Sequence, residues 1–107
     1  MKSIIVGASV LVGLMVTGVA LATDMPDAAK KNGCIACHTI DKKLVGPAWI
    51  DVSKKYKGDK TAETKLIEKV SKGGSGVWGP VPMPANTPKV SQPSIKELVD
   101  FILALAK

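Results

Sequence analysis

The chain has 107 residues, a formal net charge of +6 and a 4% share of aromatic residues. This length allows one domain and excludes a large multidomain enzyme. Because so small a domain buries little apolar surface, it usually needs a disulfide, a metal or a cofactor for stability.

The N-terminal segment has the features of an export signal. Lys2 precedes an almost wholly apolar run over 4–19, and Ala20-Leu21-Ala22 has the small-x-small pattern that signal peptidase recognises. We therefore predict a signal peptide over 1–22, cleavage near Ala22 and a mature domain over 23–107. An uncleaved membrane anchor is the alternative, because the apolar run is nearly long enough to span a bilayer. The glycines within the run and the cleavage pattern favour removal.

Two helices are predicted in the first half of the mature domain. Asp27 can act as the N-cap of a short helix over 28–31. Pro47 suits the first turn of a second helix, because its missing N–H needs no partner there. The apolar side of this second helix consists of Trp49, Val52 and Tyr56.

Two longer helices are predicted in the second half. One begins near Thr61 and ends at Gly73-Gly74, and its inner face consists of Leu66, Ile67 and Val70. Residues 73–90 are rich in glycine and proline, which predicts an irregular, extended loop. Ser91 can cap the last helix, whose buried face consists of Ile95, Leu98, Val99, Ile102 and Leu105. Since no segment alternates as a strand does, we predict an all-α fold of four to five helices.

Both cysteines of the chain lie in the segment Cys34-Ile35-Ala36-Cys37-His38. Cys-x-x-Cys-His is the attachment signature of c-type haem. Thiols at this spacing project from one helical turn and can reach two vinyl groups, and the next side chain can bind the iron. We therefore predict one haem c, attached through Cys34 and Cys37 and ligated by His38, as the group that completes the small core.

A cysteine pair has two other common uses. In an oxidising compartment it can form a disulfide, and Cys-x-x-Cys can be redox-active. The thioredoxin type requires a βαβ framework, which this sequence lacks. A zinc site requires four ligands, and the motif offers two cysteines and one histidine. A thiol–disulfide protein remains the less favoured alternative.

The second axial ligand is predicted to be Met83. The chain has a single histidine, so two histidines from one chain cannot ligate the iron. Prolines on both sides of Met83 stiffen an extended backbone, which lowers the entropy lost when the thioether is held at the iron. Met25 lies close in sequence to His38 and is poorly placed to reach the opposite haem face. Ligation by two protein side chains leaves no open position for a substrate, which predicts an electron carrier rather than an enzyme.

Taken together, these motifs resemble the class I cytochromes c of the small bacterial c-551/c-552 type. The resemblance covers nearly all of 24–107, and its remaining motifs are Val45-Gly46-Pro47-Ala48, residues 73–80 and Pro82-Met83-Pro84-Ala85-Asn86. It implies that Pro47 offers its carbonyl group to the imidazole of His38. It also implies that Trp78 donates its indole N–H to a haem propionate and that Asn86 forms a hydrogen bond near the Met83 sulfur.

One departure from that group concerns the last helix. Phe101 stands where these proteins usually have a tryptophan, so we expect the last helix to pack differently against the first.

The positive charge of the chain indicates what kind of partner it binds. All 15 basic residues are lysines, and the haem motif is flanked in sequence by Lys30, Lys31, Lys42 and Lys43. Positive charge near an exposed haem edge would steer the protein towards redox partners with acidic docking surfaces. Nucleic acid is not an expected partner, because no binding motif is present.

We thus predict a soluble, monomeric, periplasmic carrier that transfers electrons between respiratory partners by an outer-sphere mechanism and meets the membrane only through partner complexes. A haem protein with a labile sixth ligand, such as a peroxidase or a gas sensor, is the principal alternative.

Overall fold

The computed structural model describes residues 24–106, together with Gly7 and Gly13. The predicted signal peptide over 1–22 lies outside the described residues, apart from those two glycines. Within 24–106, no helix is long and apolar enough to cross a membrane.

Residues 24–106 form four α-helices, one 3-10 helix and one small hairpin. In chain order the elements are α1 (Asp27–Lys31), a 3-10 helix (Cys34–Ala36), α2 (Trp49–Lys55), α3 (Ala62–Lys72), β1 (Gly74–Gly76), β2 (Gly79–Met83) and α4 (Gln92–Ala104). The prediction of a mainly helical fold is confirmed.

Helix α4 forms the centre of the core. It packs against α1, α2 and α3, and its buried residues are Ile95, Leu98, Val99 and Ile102. These four were predicted, whereas Leu105, the fifth predicted residue, lies just after the helix and is half-buried. The Ser91 hydroxyl accepts a hydrogen bond from the backbone N–H of Ser94, so the predicted cap of this helix is confirmed. Phe101 meets Trp49 edge-on, with ring centroids 5.9 Å apart, and this contact joins α4 to α2.

Two helix starts differ from the prediction. Asp27 is the first residue of α1 rather than its cap, and Pro26 occupies the cap position without a side-chain hydrogen bond. Helix α2 begins at Trp49, so Pro47 precedes the helix instead of lying in its first turn. The first amide groups of α2 need no side-chain cap, because Trp49 N–H donates to the Thr39 carbonyl at 3.0 Å.

The hairpin was not predicted. Strands β1 and β2 are antiparallel, with Gly74 opposite Met83 and Gly76 opposite Gly79. The expectation of an irregular loop was wrong for these residues, because glycine and proline conceal the alternation by which strands are recognised. Pairing tolerates Pro80 and Pro82, since each strand of a two-stranded sheet has a free edge on which no N–H is needed.

A buried hydroxyl group connects α2 to the end of α4. Ser53 is 1% exposed, and its Oγ donates to the Leu103 carbonyl and accepts from the Ala106 N–H. Terminal carbonyl groups of a helix have no partner within the helix. Ser53 therefore supplies a link between elements that are 50 residues apart in sequence.

Candidate haem site

The two cysteines lie on one short turn. Cys34 begins the 3-10 helix and Cys37 follows its last residue, after a left-handed Gly33 that separates this turn from α1. Both thiols are free and half-buried. Burial raises the pKa of the Cys34 thiol, and the neighbouring Cys37 acts in the same direction. The turn therefore presents two thiols that are not joined in a disulfide, which covalent attachment of a haem requires.

The imidazole of His38 is held from several sides. Its Nδ1 lies 2.9 Å from the carbonyl oxygen of Pro47, so Nδ1–H can donate to that oxygen and leave the Nε2 lone pair for a metal. A Cβ atom at Gly46 would overlap the imidazole ring, so only glycine fits at that position. The ring of Trp49 lies 5.8 Å from that of His38, centroid to centroid. The tautomer and the orientation of His38 are thus set by its surroundings.

Met25 and Met83, the methionines within residues 24–106, lie in different surroundings. Met83 is half-buried at the end of β2. A cavity of about 470 Å³ lies beside His38, and Met25 and Ile35 contribute to its lining, whereas Met83 does not. Met25 thus lines the same cavity as His38, whereas Met83 lies on a separate element.

Trp78 lies in the turn between the two strands and is 42% exposed. The Nζ atom of Lys55 is 5.7 Å from the centre of its ring, within the range of a cation–π contact. Its indole N–H makes no hydrogen bond to any residue of 24–106. The contact with Lys55 therefore orients a side chain whose polar end is free to bind a ligand.

Asn86 forms hydrogen bonds to two backbone segments. Its Nδ2 donates to the carbonyl oxygen atoms of Val70 at 3.0 Å and of Pro84, the residue after Met83, at 3.3 Å. The reason is local, because carbonyl groups in the last turn of α3 lack partners within the helix. In this structure Asn86 joins the segment after Met83 to α3.

The surface around these residues fits a large apolar group. Within the described residues, large apolar side chains with high exposure are Ile35, Leu44, Val45, Val77, Trp78 and Val81. Exposed apolar side chains of this size are ones that a bound apolar group can cover. Two free thiols, an imidazole with a free Nε2 and this apolar surface together match the chemistry of a porphyrin.

Comparison with known proteins decides the family. The model of the family described as cytochrome c matches residues 26–106. The chain belongs to the cytochrome c family. The cytochrome c-552 of Nitrosomonas europaea is 46% identical over 105 residues, which cover 98% of this chain and 99% of the relative. The cytochrome c-551 of Pseudomonas aeruginosa is 42% identical over 99 residues, which cover 88% and 93% of the two chains.

Solved structures agree with this assignment. The crystal structure of wild-type Nitrosomonas europaea cytochrome c552 matches with a TM-score of 0.70 at 51% identity and covers 74% of this chain and 96% of that chain. The class 1 cytochrome MtoD from Sideroxydans lithotrophicus ES-1 matches with a TM-score of 0.67 at 38% identity, over 76% and 96% of the two chains. The protein is a class I cytochrome c of the c-551/c-552 type, and its cofactor is one covalently bound haem c.

Sequence reasoning missed two glycines of this cytochrome. Gly46 lies against the ring of His38, and Gly73 lies against the backbone that follows Met83. In the sequence, both residues look only like helix breakers or turn residues. Their close contacts are possible because glycine has no side chain, and no sequence pattern reports such a contact. The position of Gly46 directly before Pro47 was the one available signal.

Proposed function

We propose that this cytochrome is a periplasmic electron carrier with His38 and Met83 as the axial ligands of its haem iron. The observation that carries the proposal is the geometry of His38, whose Nδ1 faces the Pro47 carbonyl at 2.9 Å. This arrangement would leave the Nε2 lone pair of His38 available to hold the iron and would raise its basicity.

Each residue of the site has a defined task in this proposal. Cys34 and Cys37 attach the porphyrin through thioether bonds. Held by these residues, the haem would supply one-electron redox chemistry at its iron. Met83 supplies a soft thioether, which favours the ferrous state and raises the reduction potential. Because both axial positions are filled by side chains, the protein transfers electrons without binding a substrate at the iron.

Two further side chains support the cofactor. Trp78, held by the cation–π contact with Lys55, donates its free indole N–H to a haem propionate. Asn86 fixes the segment that follows Met83 through its hydrogen bond to the Val70 carbonyl. In the proposal, these residues place the haem edge and the ligand segment relative to the helices.

Export and partners complete the proposal. Residues 1–22 act as a signal peptide that is cleaved near Ala22, and the mature domain 23–107 functions as a soluble monomer in the periplasm. The match to the Nitrosomonas europaea relative over 98% of this chain supports a shared N-terminal segment. Exposed lysines beside the haem motif, among them Lys30 and Lys42, suit redox partners with acidic docking surfaces.

The ligand assignment is tested by absorption spectroscopy of the oxidised holoprotein. A thioether ligand of ferric haem gives a weak far-red band, which we expect in the wild type and in Met25→Ala. In Met83→Ala the band should be absent while the haem stays covalently bound. If the band persists in Met83→Ala and is lost in Met25→Ala, the thioether ligand is Met25 and the proposal is wrong on this point.

The same preparations separate the proposal from its alternatives. Rapid binding of cyanide or carbon monoxide by the wild type at neutral pH would indicate a labile sixth position, as in a peroxidase or a gas sensor. A colourless protein from a host that matures c-type cytochromes would indicate a thiol–disulfide protein instead. The mass of the exported protein reports signal cleavage and the addition of one haem together.

A further inference from the structure

The end of α3 lies directly against the segment that carries Met83. Gly73 is the residue after α3, and the next residue, Gly74, pairs with Met83 in the hairpin. The backbone of Gly73 has φ 70° and ψ −159°, a conformation that is almost confined to glycine.

Gly73 also lacks the room for a side chain. A Cβ atom there would overlap the carbonyl oxygen of Met83 and would lie 2.8 Å from both the backbone nitrogen of Ala85 and the carbonyl carbon of Pro84. These three atoms belong to the backbone, so no rotation of a flexible side chain relieves the overlap. The segment that contains Met83 thus approaches α3 as closely as it does only because residue 73 is glycine.

Hydrogen bonds also hold the part of this segment that follows Met83. The backbone N–H of Asn86 donates to the carbonyl oxygens of Val70 and Ser71, each at 3.2 Å, and the N–H of Thr87 donates to Ser71 at 3.1 Å. The Nδ2 of Asn86 adds a bond to Val70 at 3.0 Å. These carbonyl groups belong to the last turn of α3 and have no partners within the helix. The chain is therefore held against the end of α3 at Met83 and again at Asn86 and Thr87, just after it.

We infer that the C-terminal turn of α3 positions Met83 for the haem iron, and that Gly73 is the positioning residue that makes the approach close enough. The inference rests on the proposed role of Met83 as an axial ligand. In this inference, α3 holds the segment that contains Met83 in place whether or not the iron–sulfur bond is formed. The thioether then needs little further ordering to reach the iron, and it returns quickly after any dissociation.

The first test compares two glycine substitutions in the haem-loaded protein. Gly73→Ala adds a Cβ that meets the backbone at Met83, whereas Gly58→Ala adds one at a similarly positive φ of 82° in open space. We expect Gly73→Ala to weaken the far-red band and to speed cyanide binding to the oxidised protein by about tenfold or more. Gly58→Ala should stay within about twofold of the wild type for both.

The outcomes distinguish this inference from the ligand assignment. If Met83→Ala keeps the far-red band, Met83 is not the ligand and both proposals are wrong. If Met83→Ala loses the band but Gly73→Ala behaves like Gly58→Ala, only the positioning role of Gly73 is overturned.

A second measurement needs no folded Gly73 variant. In the holoprotein, the amide protons of Asn86 and Thr87 should exchange with solvent as slowly as those of the last turn of α3. The same protection should persist in Met83→Ala, because the helix and not the iron holds the segment. Loss of this protection in Met83→Ala would show that the iron–sulfur bond orders the segment, and would overturn the inference.

Discussion

The hydroxyl oxygen of Ser53 lies 3.1 Å from the carbonyl oxygen of Leu103, although the two residues are 50 positions apart. This hydrogen bond and the one that Ser53 accepts from Ala106 N–H at 3.0 Å close α4 onto α2. Since Trp49 of α2 also contacts His38, the support of the haem ligand depends on how firmly α2 is held.

Substitution of Ser53 by alanine should destabilise the protein. The change leaves a helix-terminal carbonyl and an amide without their partner, which costs about 1–3 kcal/mol. Urea unfolding of the holoprotein measures the loss. Ser75→Ala is the control, because Ser75 is exposed in β1 and its hydroxyl makes no hydrogen bond within residues 24–106. Equal effects of the two substitutions would contradict the role given to Ser53.

Gly46→Ala should disturb the haem ligand directly. The new Cβ would overlap the ring of His38, and the ring cannot move away without stretching its 2.9 Å contact with Pro47. Overpacking of this kind costs about 1–3 kcal/mol. We expect a lower melting temperature and shifted ring-proton resonances of His38. Lys43→Ala, an exposed change in the same segment, should alter neither quantity, and unchanged resonances in Gly46→Ala would contradict the prediction.

Asp59 should confer a stability that depends on pH. A hydrogen bond from the Thr61 hydroxyl, followed by one from Lys65, lowers the pKa of the Asp59 carboxyl group to about 2. A lowered pKa in the folded state means that the ionised carboxylate favours folding. Its contribution is full above the ordinary pKa of 3.8 and is lost as the pH falls towards about 2.

The comparison of wild type with Asp59→Asn measures this contribution. The difference between their urea midpoints should be constant from neutral pH down to about 5 and should be lost as the pH falls through about 2. Because the group is exposed, the difference should be small and should shrink at high salt. A difference that does not change over this pH range would show that Asp59 acts through something other than its charge.

The lysines beside the haem motif should govern encounters with anionic partners. Lys42 and Lys43 are exposed, and reversal of both charges to glutamate should slow reduction of ferricyanide by about threefold or more at low salt. Lys60→Glu reverses one charge at a position that does not flank the haem motif. It should slow ferricyanide reduction less, per reversed charge. The difference should disappear near 1 M salt, where the Debye length is about 3 Å. An effect that persists there would indicate a structural cause.

The sequence predicted the elements whose signals are local. The spacing of Ile95, Leu98 and Val99 and the cap at Ser91 depend on residues within a few positions of one another, so α4 was found with its buried face. The hairpin was missed because Gly74–Gly76 has no side-chain alternation and glycine adopts backbone conformations that other residues avoid.

The candidate site shows the same division. The Cys34, Cys37 and His38 motif is contiguous and carries its chemistry in its spacing. The contact of Gly73 with the backbone at Met83 joins distant positions, and so does the bond from Asn86 to Val70, which are 16 residues apart. Such contacts follow from how α3 and the hairpin pack, and no local pattern in the sequence reports them.

The position of Trp49 gives the protein its own optical reporter of folding. Its ring is 4% exposed and lies 5.8 Å from that of His38, so a haem bound to His38 quenches its fluorescence in the native state. Unfolding increases the distance in space between the indole and the porphyrin, and the emission of Trp49 then rises without any added dye. The other tryptophan, Trp78, is 42% exposed in the hairpin turn, so replacing it with phenylalanine leaves a signal from the core alone.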